Sequence, residues 1–199
     1  MKNNHEGLVS KTFMVILFKE RKMNKKITTK ELVISGLLLA TGIILPSIFH
    51  MFGLTGPIAL PMHIPVLIGG FLLPPQLALF LGIITPVLSG LLTGMPVMFP
   101  MAIIMAFELG TYALAISLAT RKLKLSVVPA LIISMIAGRI AAGLAVAALV
   151  QMFGIKMNPL LYIKGSIITG LPGIIIQIIF IPSLIYAIKT YLKKSTMKA

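Results

Sequence analysis

The chain of 199 residues contains no cysteine, no tryptophan and only 4 acidic residues. The lack of cysteine excludes a disulfide framework, thiol catalysis and cysteine-ligated metal sites. Charged residues make up 11% of the sequence, whereas a soluble domain has about 25%. So few charges cannot cover a water-soluble surface, and an apolar content of 58% excludes a disordered chain. The composition therefore indicates a membrane protein with several spans and one domain.

Enzyme motifs are also lacking. The sequence has no Gly-x-x-x-x-Gly-Lys-[Ser/Thr] loop for a nucleotide phosphate and no His-Glu-x-x-His motif for zinc. Glu108 is the only acid in an apolar segment, so it has no second carboxylate for acid–base work. His50 and His63 do not form a recognisable metal-ligand spacing with it. We therefore expect a protein that binds a solute, with no enzymatic activity, no cofactor and no metal.

Long apolar runs fill most of the chain. A membrane-spanning helix needs about 20 mostly apolar residues. We predict an all-α membrane protein, a bundle of six transmembrane helices over residues 31–50, 61–74, 76–93, 97–120, 126–153 and 163–189. The second segment is short and interrupted by Pro65, so it has to lie inside the bundle.

Basic residues mark the orientation of the predicted bundle. Fifteen of them lie in the first 30 residues, in the 121–125 turn and from Lys189 at the end of the sixth span to the C-terminus, whereas the predicted outer side holds only Lys156 and Lys164, the latter at the start of the sixth span. Cytoplasmic segments carry the excess of Lys and Arg in membrane proteins. This split predicts that both termini are cytoplasmic in a protein of the cell membrane. The net charge of +14 thus reports topology, and we expect no nucleic-acid partner.

The ends of the chain differ from its middle. We divide it into a basic cytoplasmic segment (1–26), a six-helix membrane domain (27–192) and a basic cytoplasmic tail (193–199). Two interpretations of residues 1–22 stay open. The segment lies on the membrane surface, or it is not native, because Met23 followed by Asn-Lys-Lys is a natural translation start.

Two charged residues lie inside the predicted spans, away from the span ends. Glu108 is in the fourth span and Arg139 in the fifth. A charge at the centre of a membrane helix costs about 2.5–3.5 kcal/mol unless it is paired or faces water. The two helices are consecutive and antiparallel, so these charges can meet. Two interpretations follow: a structural ion pair that fixes helix register, or a polar cavity that binds a solute.

Other polar residues near these spans are weaker candidates. Tyr112 lies one helical turn after Glu108, on the same face. Gln177 lies in the middle of the sixth span, where an interhelical hydrogen bond would satisfy it. His63 and Thr93 lie toward the predicted outer face. The apolar loop 51–61, rich in Gly and Pro, either covers a site or dips into the membrane interface.

Several of these motifs resemble a known family. Over roughly residues 27–190, the chain is similar to the substrate-binding S components of energy-coupling factor (ECF) vitamin transporters. The motifs that carry the resemblance are Gly36-Leu-Leu-Leu-Ala40, Pro61-Met-His-Ile-Pro-Val-Leu-Ile-Gly-Gly, Pro86-Val-Leu-Ser-Gly-Leu-Leu-Thr-Gly-Met-Pro, Met105-Ala-Phe-Glu-Leu and Gly138-Arg139. The run from Pro86 to Leu109 is the most specific of them.

The resemblance implies a division of labour between chains. An S component captures a vitamin or related micronutrient at the outer face, and a transmembrane coupling subunit and two ATPase subunits supply the energy. Gly36 and Ala40 correspond to the family's Ala-x-x-x-Ala motif, which docks on the coupling subunit. By position, the resemblance assigns the substrate site to Glu108, Tyr112, Arg139 and Gln177, with His63 and Thr93 at its rim and the 51–61 loop as a lid.

The substrate and one alternative function stay open. Pantothenate, a pyridoxine-like or pyrimidine vitamin precursor and queuosine precursors all fit the residues. If Glu108 and Arg139 neutralise each other, a neutral polar solute fits best. The alternative function is a small self-contained secondary transporter or channel in which Glu108 is the proton or ion site.

Overall fold

The structure, a computed structural model, describes residues 27–53, 58 and 60–196. Within these residues every regular element is helical: α1 (Thr29–Met51), α2 (His63–Leu72), α3 (Pro75–Thr93), a short π-helical turn (Met98–Ala102), α4 (Ile103–Arg121), α5 (Val127–Phe153) and α6 (Pro159–Thr196). The prediction of an all-helical fold is confirmed for this part of the chain. The predicted segment 1–26, the last three residues of the predicted tail, and residues 54–57 and 59 of the predicted lid lie outside it.

Five of the six predicted spans appear as helices of full membrane length. Five helices of the described chain are long and apolar enough to cross a membrane. The remaining helix, α2, has 10 residues and is therefore about 15 Å long, half the thickness of the hydrocarbon core. Seven of its residues are buried, so α2 is an internal half-length helix, as its short apolar run suggested.

The end of α2 depends on α4. The last carbonyl groups of a helix have no partners within the helix, and those of α2 lie inside the bundle. The Ser117 hydroxyl donates a hydrogen bond to the carbonyl oxygen of Leu73 at 2.9 Å. The Arg121 guanidinium donates to the carbonyls of Leu73 and Leu72 at 3.2 and 2.9 Å. Arg121, which the sequence marks as a topology signal, therefore also holds the end of α2.

Glycines bring α3 and α4 close together. A Cβ atom added at Gly82 of α3 would collide with the backbone of Leu109 and Gly110 on α4. Small residues permit this approach between membrane helices. The contact fixes α4 immediately beside Glu108, so the packing of α3 sets the position of the buried acid.

Two predicted boundaries need correction. The predicted span 97–120 is not one regular helix, because the backbone of Phe99 is extended and α4 begins only at Ile103. The proline at position 100 has no backbone N–H to donate into a preceding turn. The sixth helix begins at Pro159 rather than at residue 163 and continues to Thr196. Prolines 172 and 182 lie inside α6, where a membrane helix tolerates them.

The main hydrophobic core lies between α2 and the helices α3 to α6. A smaller cluster joins α4 and α5 through Ile104, Ala142, Val146 and Leu149. The first helix packs against α2 and α3, and Gly42 is its only buried residue. Among the described helices α1 is therefore the least enclosed, and the residues predicted for the substrate site, Glu108, Tyr112, Arg139 and Gln177, lie on α4, α5 and α6.

Candidate functional site

A buried ion pair lies at the centre of the site. Glu108 of α4 is 2% exposed, and its Oε1 atom lies 2.7 Å from Nη1 of Arg139 on α5. The structure thus brings together the two charges that the sequence places on consecutive spans. Pairing offsets much of the cost of holding each charge away from water.

Tyr112 completes this pair. Its hydroxyl donates a hydrogen bond to Oε1 of Glu108 at 2.7 Å, one helical turn along α4. The residue before Arg139 makes room for the ring, because a Cβ atom at Gly138 would collide with Cδ1 and Cε1 of Tyr112. Both residues of the dipeptide Gly138-Arg139 therefore contribute to the site: Gly138 leaves room for the Tyr112 ring, and Arg139 supplies the positive charge.

His63 begins α2 and faces the same carboxylate without bonding to it. Its Nε2 atom lies 3.8 Å from Oε1 of Glu108, beyond hydrogen-bond distance. The side chain is almost fully buried, and neither ring nitrogen has a hydrogen-bond partner among the described residues. Its ring centroid lies 5.7 Å from that of Tyr112. A buried unpaired polar group costs about 1–3 kcal/mol, so His63 is arranged to receive a partner.

Gln177 approaches the site from α6. It is buried, and its Nε2 atom lies 3.5 Å from the carbonyl oxygen of Leu60, just before α2. This long contact joins the middle of α6 to the chain that leads into His63. Gln177 therefore has a packing partner and also faces the cavity described next.

These polar side chains surround a cavity of about 300 Å³. Four of the residues predicted for the site line it: His63, Tyr112, Arg139 and Gln177. Glu108 lies behind them and holds Tyr112 and Arg139 in place. The other lining residues are apolar: Met135, Ile136, Ile140, Ile163, Ile167 and Ile174, which we call the apolar wall.

Thr93 is not among the residues that line the cavity. It lies at the C-terminus of α3, where its hydroxyl donates to the carbonyl oxygen of Ser89 at 2.8 Å and accepts from the backbone N–H of Met95 at 3.3 Å. These bonds stabilise the end of the helix. The structure therefore gives Thr93 a local structural contact and does not bring it to the polar cluster.

Reasoning from the sequence missed the apolar wall. Ile163, Ile167, Ile174 and Gln177 are separated by 4, 7 and 3 residues, which places them on one face of α6. Ile136 and Ile140 flank Arg139 on α5 in the same way. The face of each helix that carries its polar residue therefore predicts which isoleucines line the cavity, although isoleucine alone gives no such signal in a sequence of this composition.

The arrangement is suited to binding. Arginine has five N–H donors, and only Nη1 of Arg139 contacts a carboxylate in the described structure. Nowhere in the described ranges do three His, Cys, Asp or Glu side chains come together as metal ligands. The cavity thus offers unused hydrogen-bonding groups together with an aliphatic surface, which is the usual composition of a small-molecule site.

Comparison with known proteins gives one match. Residues 30–185 match the family model described as ECF transporter, substrate-specific component. The match runs from the start of α1 to most of α6 and includes every residue of the polar cluster. No curated protein and no solved structure gives a significant match to the chain.

Proposed function

The chain belongs to the family of substrate-specific components of ECF transporters, and we propose that it captures a vitamin or related micronutrient at the outer face of the cell membrane. It is a multi-pass membrane protein of a substrate-binding kind rather than an enzyme. In this proposal a transmembrane coupling subunit and two ATPase subunits, all separate chains, drive delivery of the solute to the cytoplasm.

The cavity beside the Glu108–Arg139 pair is the observation that carries the proposal. Its volume of about 300 Å³ is at the lower end of the range for small-molecule sites. Polar groups inside a membrane bundle are costly and usually mark a solute pathway or site. Neither ring nitrogen of His63 has a hydrogen-bond partner among the described residues, which supports a bound solute as the missing partner.

The position of the cavity along the bundle supports capture from outside. Arg121 belongs to the basic 121–125 cluster, which the charge distribution places in the cytoplasm, and it contacts the C-terminal end of α2. His63 lies at the other end of α2, about 15 Å away. Glu108 precedes Arg121 by 13 residues on α4, or about 20 Å. The cavity therefore lies in the half of the bundle opposite the basic cluster, and both termini are proposed to be cytoplasmic.

The open face of α1 supports docking of a coupling subunit. Gly36 and Ala40 are both exposed, and a Cβ atom at Gly36 would meet no atom within 4 Å. Small residues four apart let a second helix approach closely. We assign this pair to partner docking, with lipid covering the face in the free chain.

The alternative, a self-contained transporter with Glu108 as a proton site, has less support. A proton-carrying acid needs access to water, whereas Glu108 is 2% exposed. It is also already bound by Arg139 and Tyr112.

Vesicle reconstitution separates the two functions. Mass spectrometry of small molecules that co-purify with the chain names the solute for the assay. The chain alone in liposomes is expected to bind this solute without accumulating it. Accumulation should require the coupling subunit, the ATPases and ATP. Uptake by the chain alone, driven by a proton gradient, would contradict the proposal and support the alternative.

A further inference from the structure

The polar wall of the cavity indicates what kind of solute fits there. Resting on the proposed function, we infer that the solute is uncharged at neutral pH. We further infer that it binds through an edge that carries an acceptor beside a donor, as in a carboxamide or lactam, and that His63 recognises this edge.

The charges at the cavity are already balanced. Arg139 lines it, and Glu108 lies directly behind, 2.7 Å from the guanidinium. No other acid or lysine is among the lining residues of the described chain. An anionic solute would compete with Glu108 for the guanidinium and leave one negative charge unpaired. A cationic solute would face Arg139. An uncharged solute leaves the pair intact and adds no unpaired charge within the bundle.

The hydrogen-bonding groups of the cavity that have no described partner determine which edge of a solute fits against them. A neutral imidazole has one N–H donor and one acceptor nitrogen, and both nitrogens of His63 are buried without a described partner. The remaining N–H groups of Arg139 can only donate. A solute edge that bonds to Arg139 and to one ring nitrogen of His63 must offer an acceptor toward Arg139 and, toward His63, a donor or an acceptor that matches this nitrogen. A carbonyl next to an N–H or a hydroxyl has this pattern.

The rest of the cavity limits the size and the polarity of the remainder of the solute. Six aliphatic side chains line it, so the remainder of the solute is apolar or flat. The volume of about 300 Å³ equals on the order of ten water volumes at about 30 Å³ each. This space accommodates one or two rings, and a long acyl chain does not fit.

Fractionation by charge tests the solute class. The full chain is purified in detergent, washed free of small molecules and mixed with an aqueous yeast extract that ion exchange at pH 7 has separated into neutral, anionic and cationic fractions. The readout is the thermal unfolding midpoint, followed over a dilution series of each fraction. The neutral fraction is expected to raise the midpoint. Stabilisation by an anionic or cationic fraction alone would overturn the inference while leaving solute capture intact.

Variants of His63 test the recognition step. His63→Leu should need about tenfold more of the stabilising fraction than the wild type for half-maximal stabilisation. A tenfold loss of affinity corresponds to about 1.4 kcal/mol of binding free energy. His63→Gln keeps a donor and an acceptor and should lose less. His50→Leu, the same change at an exposed histidine of α1 that does not line the cavity, is the matched control.

The outcomes for the two proposals are distinct. Equal half-maximal amounts for the wild type and His63→Leu would remove His63 from recognition, provided that both unfold cooperatively without solute. If His63→Leu does not fold, His63→Gln is compared with His63→Ala instead. His63→Ala should then need about tenfold more of the fraction for half-maximal stabilisation than His63→Gln, and equal amounts for the two variants would again overturn the assignment. Failure of all three fractions to stabilise the wild type would contradict solute capture itself, and the inference would fall with it.

Discussion

Replacing Arg139 by glutamine should destabilise the bundle more than replacing both members of its ion pair. In Arg139→Gln the carboxylate of Glu108, 2% exposed, keeps the Tyr112 hydroxyl as a hydrogen-bond partner at 2.7 Å, and the imidazole of His63 lies 3.8 Å away. The variant thus leaves a buried negative charge without its cation. In the double variant with Glu108→Gln, two neutral amides face each other and no charge remains.

The size of the effect follows from the burial of the pair. Removing one partner of a buried ion pair costs about 3–5 kcal/mol in soluble proteins. Polar contacts between membrane helices average only about 0.6 kcal/mol, but an unpaired charge in a span costs about 2.5–3.5 kcal/mol. We therefore expect a loss of about 3 kcal/mol for the single variant. For a chain of this size, at about 2–4 °C per kcal/mol, the unfolding midpoint falls by about 6–12 °C.

The assay is a double-mutant cycle in detergent micelles. Wild type, Glu108→Gln, Arg139→Gln and the double variant are unfolded thermally under one set of conditions. The double variant should retain a higher midpoint than Arg139→Gln alone, because it contains no uncompensated charge. Thr93→Val, which removes a side chain remote from the pair, is the control for a general effect of losing a polar group.

Two results would refute the reasoning. If the effects of the two single variants add in the double variant, the side chains do not interact, contrary to the 2.7 Å contact. If Arg139→Gln leaves the midpoint unchanged, the charge of Glu108 is not held by Arg139. Solute binding by the same four proteins then separates the two interpretations of the pair. A structural pair lowers stability alone, whereas a cavity-lining pair also weakens binding in Arg139→Gln.

Three further predictions concern other contacts. Gly138→Ala should push the Tyr112 ring away from its hydrogen bond and lower stability by about 1–3 kcal/mol, and an unchanged midpoint in thermal unfolding would contradict the tight contact. Arg121→Gln should destabilise the bundle by about 1–3 kcal/mol, because the carbonyls that end α2 lose a charged donor; the check is the same unfolding assay with Lys122→Gln as the exposed control. Gly36→Leu should leave solute binding unchanged but abolish transport with the partner subunits, and full vesicle uptake by this variant would remove the docking assignment.

Helix positions were largely predictable because each span is a long apolar run. The first, third and fifth predicted spans end within two residues of α1, α3 and α5. The errors have local causes. Hydropathy does not detect the interruption before α4, and it does not show that α6 begins at Pro159, directly after Asn158, whose side chain caps the helix. The short α2 was recognised as weak, but counting it as a full span overlooks that a helix buried on nearly all sides need not match the membrane thickness.

The polar centre of the site was predictable for a different reason. In a bundle with so few charges, Glu108 and Arg139 stand out, and helical spacing adds Tyr112. The lack of a partner for His63 was not predictable, because it depends on a separation of 3.8 Å from Glu108 that sequence spacing does not set. The apolar wall was not predictable from the sequence, because isoleucine is common on every face of these helices.

The proposed solute capture and the proposed partner docking are separable in this fold, because the residues assigned to them lie on different helices. The cavity is lined by residues of α2, α4, α5 and α6, whereas the exposed pair Gly36 and Ala40 lies on α1, which contributes no lining residue among those described. The two regions meet through α2, which packs against α1 and carries His63 at its first position. A partner that shifts α1 would therefore reach the cavity first through His63, the lining residue that the described protein leaves without a hydrogen bond.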